Sequence, residues 1–245
     1  MEENLLKKME AVMQRNKAIS SEILWANIFH DTIKNSKWLC GQSFSPGRAA
    51  IGYPTLYALY RILDEFQPEN ILEMGLGQST KMIGTYAKWK NAQSGNCKHI
   101  VVEHDKTWIE FFANNFELSD ATEIMQMDLI KPEIEIYSGK KTEVNMYKDF
   151  KNNLTGKKFD LIFIDGPFGS NVISRIDIID LLPECLNQSF IFMMDDAERL
   201  GEQNTLKMVT NILKENSIKY ARNYYSGEKA TAIITSENLH FFCTM

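Results

Sequence analysis

Apolar residues recur along this chain in two periods. Short apolar runs at 70–74, 99–103, 122–127, 159–164 and 189–194 are bounded by polar or turn-forming residues and read as buried strands. Between most of them, 79–90, 106–116 and 172–186 read as helical. A helix is also predicted over 54–66, with Pro54 in its first turn and Leu56, Leu59, Tyr60 and Leu63 as its apolar face. Later, a helix at 202–215 precedes runs at 218–225 and 230–235, joined by Ser226-Gly227-Glu228, which read as a hairpin. Residues 236–245 are expected at the sheet edge. The alternation predicts an α/β fold: a three-layer α/β/α sandwich whose mostly parallel seven-stranded sheet ends in an antiparallel hairpin.

The first 37 residues are helical in pattern, with Leu5, Met9, Val12 and Met13, then Trp25, Phe29 and Ile33, at helical spacing. Such a stripe suits an appendage packed on the main domain. It also suits a dimerisation or lid element, because methionine makes adaptable contacts. Residues 38–52 form a turn-rich linker, which divides the chain into a segment 1–52 and a domain 53–245. The stretch 129–157 is irregular; its lysines and those just after it, Lys140, Lys141, Lys148, Lys151, Lys157 and Lys158, read as a solvated face.

Composition narrows the function. The net charge of −5 and a pI near 5.5 argue against a nucleic-acid surface. No apolar run reaches membrane-spanning length and the N-terminus is charged, so a cytoplasmic protein with no membrane partner is expected. Cys40, Cys97, Cys185 and Cys243 are scattered and read as reduced thiols.

The chemistry concentrates where strands end. The run 70–74 leads into Gly75-Leu76-Gly77-Gln78-Ser79-Thr80, a glycine turn opening a helix. Gly75 and Gly77 allow main-chain N–H groups close to a ligand. Glu103 ends the next run, where a carboxylate can grip two ribose hydroxyls. A dinucleotide fingerprint wants a third glycine where Thr80 stands, and Glu73 would repel a pyrophosphate but suit an ammonium or sulfonium. This order of motifs resembles the class I S-adenosylmethionine-dependent methyltransferases, over roughly residues 50–245. The resemblance implies that Gly75 and Gly77 line the methionine part of the cofactor. It implies that Glu73 faces its ammonium, and that Ser79 and Thr80 serve its carboxylate or simply cap the helix. Glu103 would hold the ribose, His104 would lie beside the adenine, and Asp128 would meet the adenine amino group.

Two further strand ends are acidic: Asp165 after 159–164, and Asp195 with Asp196 after 189–194. Three converging carboxylates need a cation or a proton. The pattern is similar to the metal-dependent catechol-type O-methyltransferases, and implies that Asp165, Asp195 and Asp196 hold Mg²⁺ or another divalent ion. The alternative is that Asp195 and Asp196 cap the strand and pair with Arg199 or Arg175. The lysine that family carries three residues after the first acid is Phe168 here, so Asp165, Asp196 and His104 are the candidate bases. Arg48, Arg175, Arg199 and Lys229 could orient an anionic substrate or form ordinary ion pairs.

The expected function is methylation, foremost O-methylation, of a small molecule or saccharide, with S-adenosylmethionine as cofactor and a homo-oligomer through the N-terminal helices. The competing readings are a nicotinamide-dependent oxidoreductase and a non-catalytic domain that binds S-adenosylmethionine or a partner.

Overall fold

The computed structural model describes residues 2–47, 50–135, 139 and 141–245. Arg48 and Lys140 lie outside the described residues. Seven strands form one sheet: β1 Asn70–Met74, β2 Lys98–Glu103, β3 Thr122–Gln126, β4 Phe159–Ile164, β5 Leu186–Met194, β6 Tyr220–Ser226 and β7 Ala230–Ser236. Their order is β6-β7-β5-β4-β1-β2-β3. The five strands from β5 to β3 run parallel, and β7 is antiparallel to both β5 and β6. This is a Rossmann-like, doubly wound α/β fold closed at one edge by an antiparallel hairpin. The chain moves outward from β1 to β3 and then returns to the other side of β1 as β4. That reversal opens a crevice at the carboxyl ends of β1 and β4.

The alternating side chains explain the layers. Ile71 of β1, Leu161 and Phe163 of β4, and Ile191 and Met193 of β5 face one core. There they meet α2 (Tyr53–Arg61) and α3 (Gln78–Ser94) through Leu56, Leu59, Met82, Ile83 and Tyr86. Leu72, Met74, Ile162, Ile164, Phe192 and Met194 face the opposite core. It is completed by α5 (Phe150–Leu154) and α6 (Leu200–Glu215), the latter through Leu206, Val209 and Leu213. The short α4 (Lys106–Asn115) buries Phe112 against Leu76 and Val101. Asp105 caps α4 by accepting from the Thr107 and Trp108 amides.

Glycine is required where β1 and β4 end. Gly75 has φ +99°, and a Cβ there would sit 3.0 Å from the Gly166 nitrogen and 3.1 Å from the Asp165 carbonyl carbon. Two backbones therefore touch at the mouth of the crevice.

The N-terminal helix α1 (Glu2–Thr32) crosses the hairpin end of the sheet. Ser21 Oγ and Trp25 Nε1 donate to the Ser226 carbonyl, and Phe29 is fully buried. Leu5, Met9, Val12 and Met13 stay more than half exposed. Among described residues, no helix is long and apolar enough to cross a membrane.

Two expectations change. The segment 172–186 is not an α-helix: it is a loop followed by a 3-10 turn, Ile176–Leu181. Arg175 adopts a left-handed backbone there, which a helix would not allow, because its side chain is drawn into the acidic cluster. The irregular stretch 129–157 is more than a solvated face. It forms two small hairpins and α5, and it buries Val144, Tyr147, Phe150 and Leu154. The end of the chain does lie at the sheet edge, as a 3-10 turn, Glu237–Cys243, packed on the hairpin.

Candidate active site

The crevice at the ends of β1, β2 and β4 holds a cavity of about 290 Å³. Gly75, Glu103, His104, Asp165 and Asp196 line it, together with Arg175, Arg199 and Lys229. Glu103, at the end of β2, is nearly buried. Its Oε1 accepts from the His104 and Asp105 amides at 2.7 and 2.9 Å, and lies 2.8 Å from His104 Nδ1. Its Oε2 accepts from the Leu76 amide at 3.0 Å. These bonds fix the carboxylate and leave Oε2 a second lone pair for a ligand hydroxyl. His104 is 43% exposed at its side chain, with its ring 6.4 Å from that of Tyr147.

Five of the expected cofactor contacts do not face this cavity. Glu73 lies inside the sheet, fully buried, and bonds His99 Nε2 at 2.9 Å, because its place in β1 points it into a core and not past the strand end. Thr80 caps α3 by accepting from the Gly77 amide at 2.9 Å. Ser79 is buried in the first turn of α3 and lines no part of the cavity. Asp128 is exposed and accepts from its neighbour Gln126. Gly77 likewise lies outside the lining. Tyr147 was not foreseen. Its hydroxyl donates to the Val102 carbonyl at 3.2 Å, and it sits within the stretch whose pattern was irregular. Trp108, whose indole donates to the Leu76 carbonyl at 2.7 Å, holds the glycine turn.

Asp165, Asp195 and Asp196 do converge, with an oxygen of each within 4.8 Å of the others. Their charge, however, is answered by the chain's own cations. Arg175 Nη2 lies 3.1 Å from Asp165 and 2.6 Å from Asp196. Arg199 Nη1 lies 2.8 Å from Asp196. Lys229 Nζ lies 2.7 Å from Asp195, 3.0 Å from Asp196 and 3.1 Å from the Ala50 carbonyl. Asp195 Oδ1 also accepts from the Thr55 and Thr231 hydroxyls. Glu202, buried in the first turn of α6, is 3.6 Å from Arg175 Nε.

A divalent ion does not fit this donor set. Every oxygen of Asp195 and Asp196 already faces a cation or a hydroxyl, and an incoming ion would have to expel Lys229. Burial alone would raise Asp196, but Arg175, Lys229 and Arg199 outweigh it and hold the carboxyl below its usual range. Burial also works to lower Lys229, and Asp195, Asp165 and Asp196 outweigh it and hold the ammonium protonated. Asp165 is different: burial pushes it up to about 7, against the pull of Arg175.

No protein-family model and no curated protein sequence matches this chain. Solved structures do resemble it. A Staphylococcus aureus chain described as a caffeoyl-CoA O-methyltransferase is 16% identical, with 95% of this chain and 100% of that one covered and a TM-score of 0.45. A methyltransferase from Pyrococcus furiosus is 15% identical over 89% of this chain and 98% of that one, with a TM-score of 0.43. The plantazolicin methyltransferase BpumL, solved in complex with SAH, is 12% identical over 94% and 98%, with a TM-score of 0.40. Likenesses this distant carry no chemistry, which rests on the site alone.

Proposed function

We propose that this chain is an S-adenosylmethionine-dependent methyltransferase that methylates a hydroxyl of a polar small molecule or saccharide. The observation that carries this reading is Glu103. It is a pre-positioned carboxylate with a spare lone pair, beside a glycine turn, in the crevice where the sheet order reverses. The antiparallel hairpin and the use of Thr80 as a helix cap, where a dinucleotide site wants glycine, weigh against a nicotinamide enzyme.

Such a cofactor supplies an electrophilic methyl on a sulfonium. Glu103 would fix a ribose hydroxyl through Oε2. Asp165, raised toward neutrality and lining the cavity, would accept the proton of the attacking hydroxyl. Asp196 is a poor base, because three cations hold it ionised. His104 would close the cavity beside Tyr147. Arg175 and Lys229 would fix the acidic loop ends, so metal assistance has no part in this reading.

The test is calorimetric titration with S-adenosylmethionine, S-adenosylhomocysteine and NAD, with and without Mg²⁺. Both adenosyl ligands should bind, Mg²⁺ should change neither affinity, and Glu103→Ala should weaken both by roughly ten-fold or more. Binding of NAD alone would install the oxidoreductase reading. Adenosyl binding without turnover on any acceptor would leave the non-catalytic domain.

A further inference from the structure

Resting on that reading, we propose that a second cavity receives the acceptor, and that the acceptor carries a carboxylate or phosphate. A cavity of about 670 Å³ opens between α1, the linker before α2 and the turn between β6 and β7. It shares Arg199 and Lys229 with the smaller cavity at the strand ends. A molecule that fills it therefore has one end beside the chamber that Asp165 lines.

The lining offers polar and apolar surface in about equal measure, and six of its side chains are charged. Its charged groups divide by what they already hold. Glu22 spends both oxygens on the chain, accepting from the Tyr53 amide at 2.6 Å and the Glu228 amide at 3.0 Å. Glu198 accepts from the Ala230 amide at 2.8 Å. Lys229 is bound to Asp195 and Asp196. Among the cations, the guanidinium groups keep donors uncommitted, and the exposed Glu228 carboxylate shares the same lining. Arg15 is exposed and makes no hydrogen bond or ion pair with a described residue. Arg199 uses Nη1 on Asp196, lies 6.0 Å over the Phe168 ring, and keeps its other N–H groups open. The Arg15 fork and the open N–H groups of Arg199 line the same cavity and match the oxygens of a carboxylate or phosphate, and a neutral acceptor would leave them without a partner. Arg15 and Arg199 are thus the specificity residues, and Asp165 acts on a hydroxyl at the other end of the same molecule.

The experiment is titration of the protein, loaded with S-adenosylhomocysteine, with glucuronate, glucose 6-phosphate and glucose. At least one anionic sugar should bind roughly ten-fold or more tightly than glucose. The tighter of the two assigns carboxylate or phosphate. Arg15→Ala, a change at an exposed helix position, should erase that preference and leave the affinity for S-adenosylhomocysteine unchanged. Equal affinities for the three sugars, no binding of either anion, or a preference that survives in Arg15→Ala would each overturn the proposal. Failure of S-adenosylhomocysteine to bind would instead overturn the methyltransferase reading; the sugars, titrated alone, would still report on the cavity.

Discussion

Asp165 is the carboxylate of the acidic cluster that keeps an oxygen for substrate. Arg175 meets its Oδ1, and no described residue bonds its Oδ2. Burial sets its pKa at about 7. A base must be ionised, so turnover should climb as pH rises through about 7 and level off above it. Asp165→Asn should lower turnover by roughly 10²–10⁴-fold, erase that limb of the pH profile and leave S-adenosylhomocysteine binding intact. A loss under about ten-fold with the limb retained would remove Asp165 from the role.

At the scale of elements, one buried acid joins the 3-10 turn 176–181 to the small hairpin that carries Tyr147. Asp177 Oδ1 accepts from the Tyr147 amide at 2.7 Å. Burial pushes Asp177 up to about 7, against the lowering effect of its backbone hydrogen bonds. In the unfolded chain the group titrates near 3.8. Between those values the folded chain holds a proton that the unfolded chain has lost. Folding therefore becomes less favourable as pH rises through that window, and the effect is constant above about 7. Asp177→Asn keeps an acceptor for Tyr147 and removes the ionisation. It should stabilise the protein by on the order of 1–2 kcal/mol at pH 8 and not at pH 4, read by urea unfolding. A loss of equal size at both pH values would mean the shape of the side chain, and not its charge, matters.

Much of this level was legible in the sequence. β1 and β4 were expected over 70–74 and 159–164, and the structure places them there, because their apolar runs are buried on both faces. The hairpin of β6 and β7 announced itself through Gly227. Where long-range polar contacts decide, the pattern was silent. Arg175 looked like part of a helix, and only the fold shows the three acids that bend its segment away. Glu73 looked like a ligand contact, and only the sheet register shows its partner, His99, on the neighbouring strand. Glu103 was readable because the end of a strand is itself the signal. Arg15 was not, since a charge on a helix surface has no local mark of what it faces.

For the whole molecule, the free half of α1 asks for a partner. Leu5, Met9 and Val12, then Asn16, Ile19 and Ile23, continue a spacing of four and three residues along an exposed seam. We propose that this seam pairs with a second copy, with Asn16 fixing the register. Light scattering should give a dimer at micromolar concentration. A variant with Leu5, Met9 and Val12 all changed to Ser should be monomeric with an unchanged circular-dichroism spectrum. A wild-type monomer at all concentrations would end this idea.

Glu22 has a consequence in time. One carboxylate, on α1, clasps the start of α2 and the turn after β6. During synthesis the second half of that clasp cannot form until residue 228 has left the ribosome. The wall around Arg15 therefore waits for the turn between β6 and β7. The same clasp makes two distant amides, those of Tyr53 and Glu228, share one fate. In Glu22→Ala both should lose protection from deuterium exchange together, while the amides of β1 and β4 keep theirs. Lys229, in the turn between β6 and β7, also lines the chamber at the strand ends, so both cavities wait for the same segment of chain.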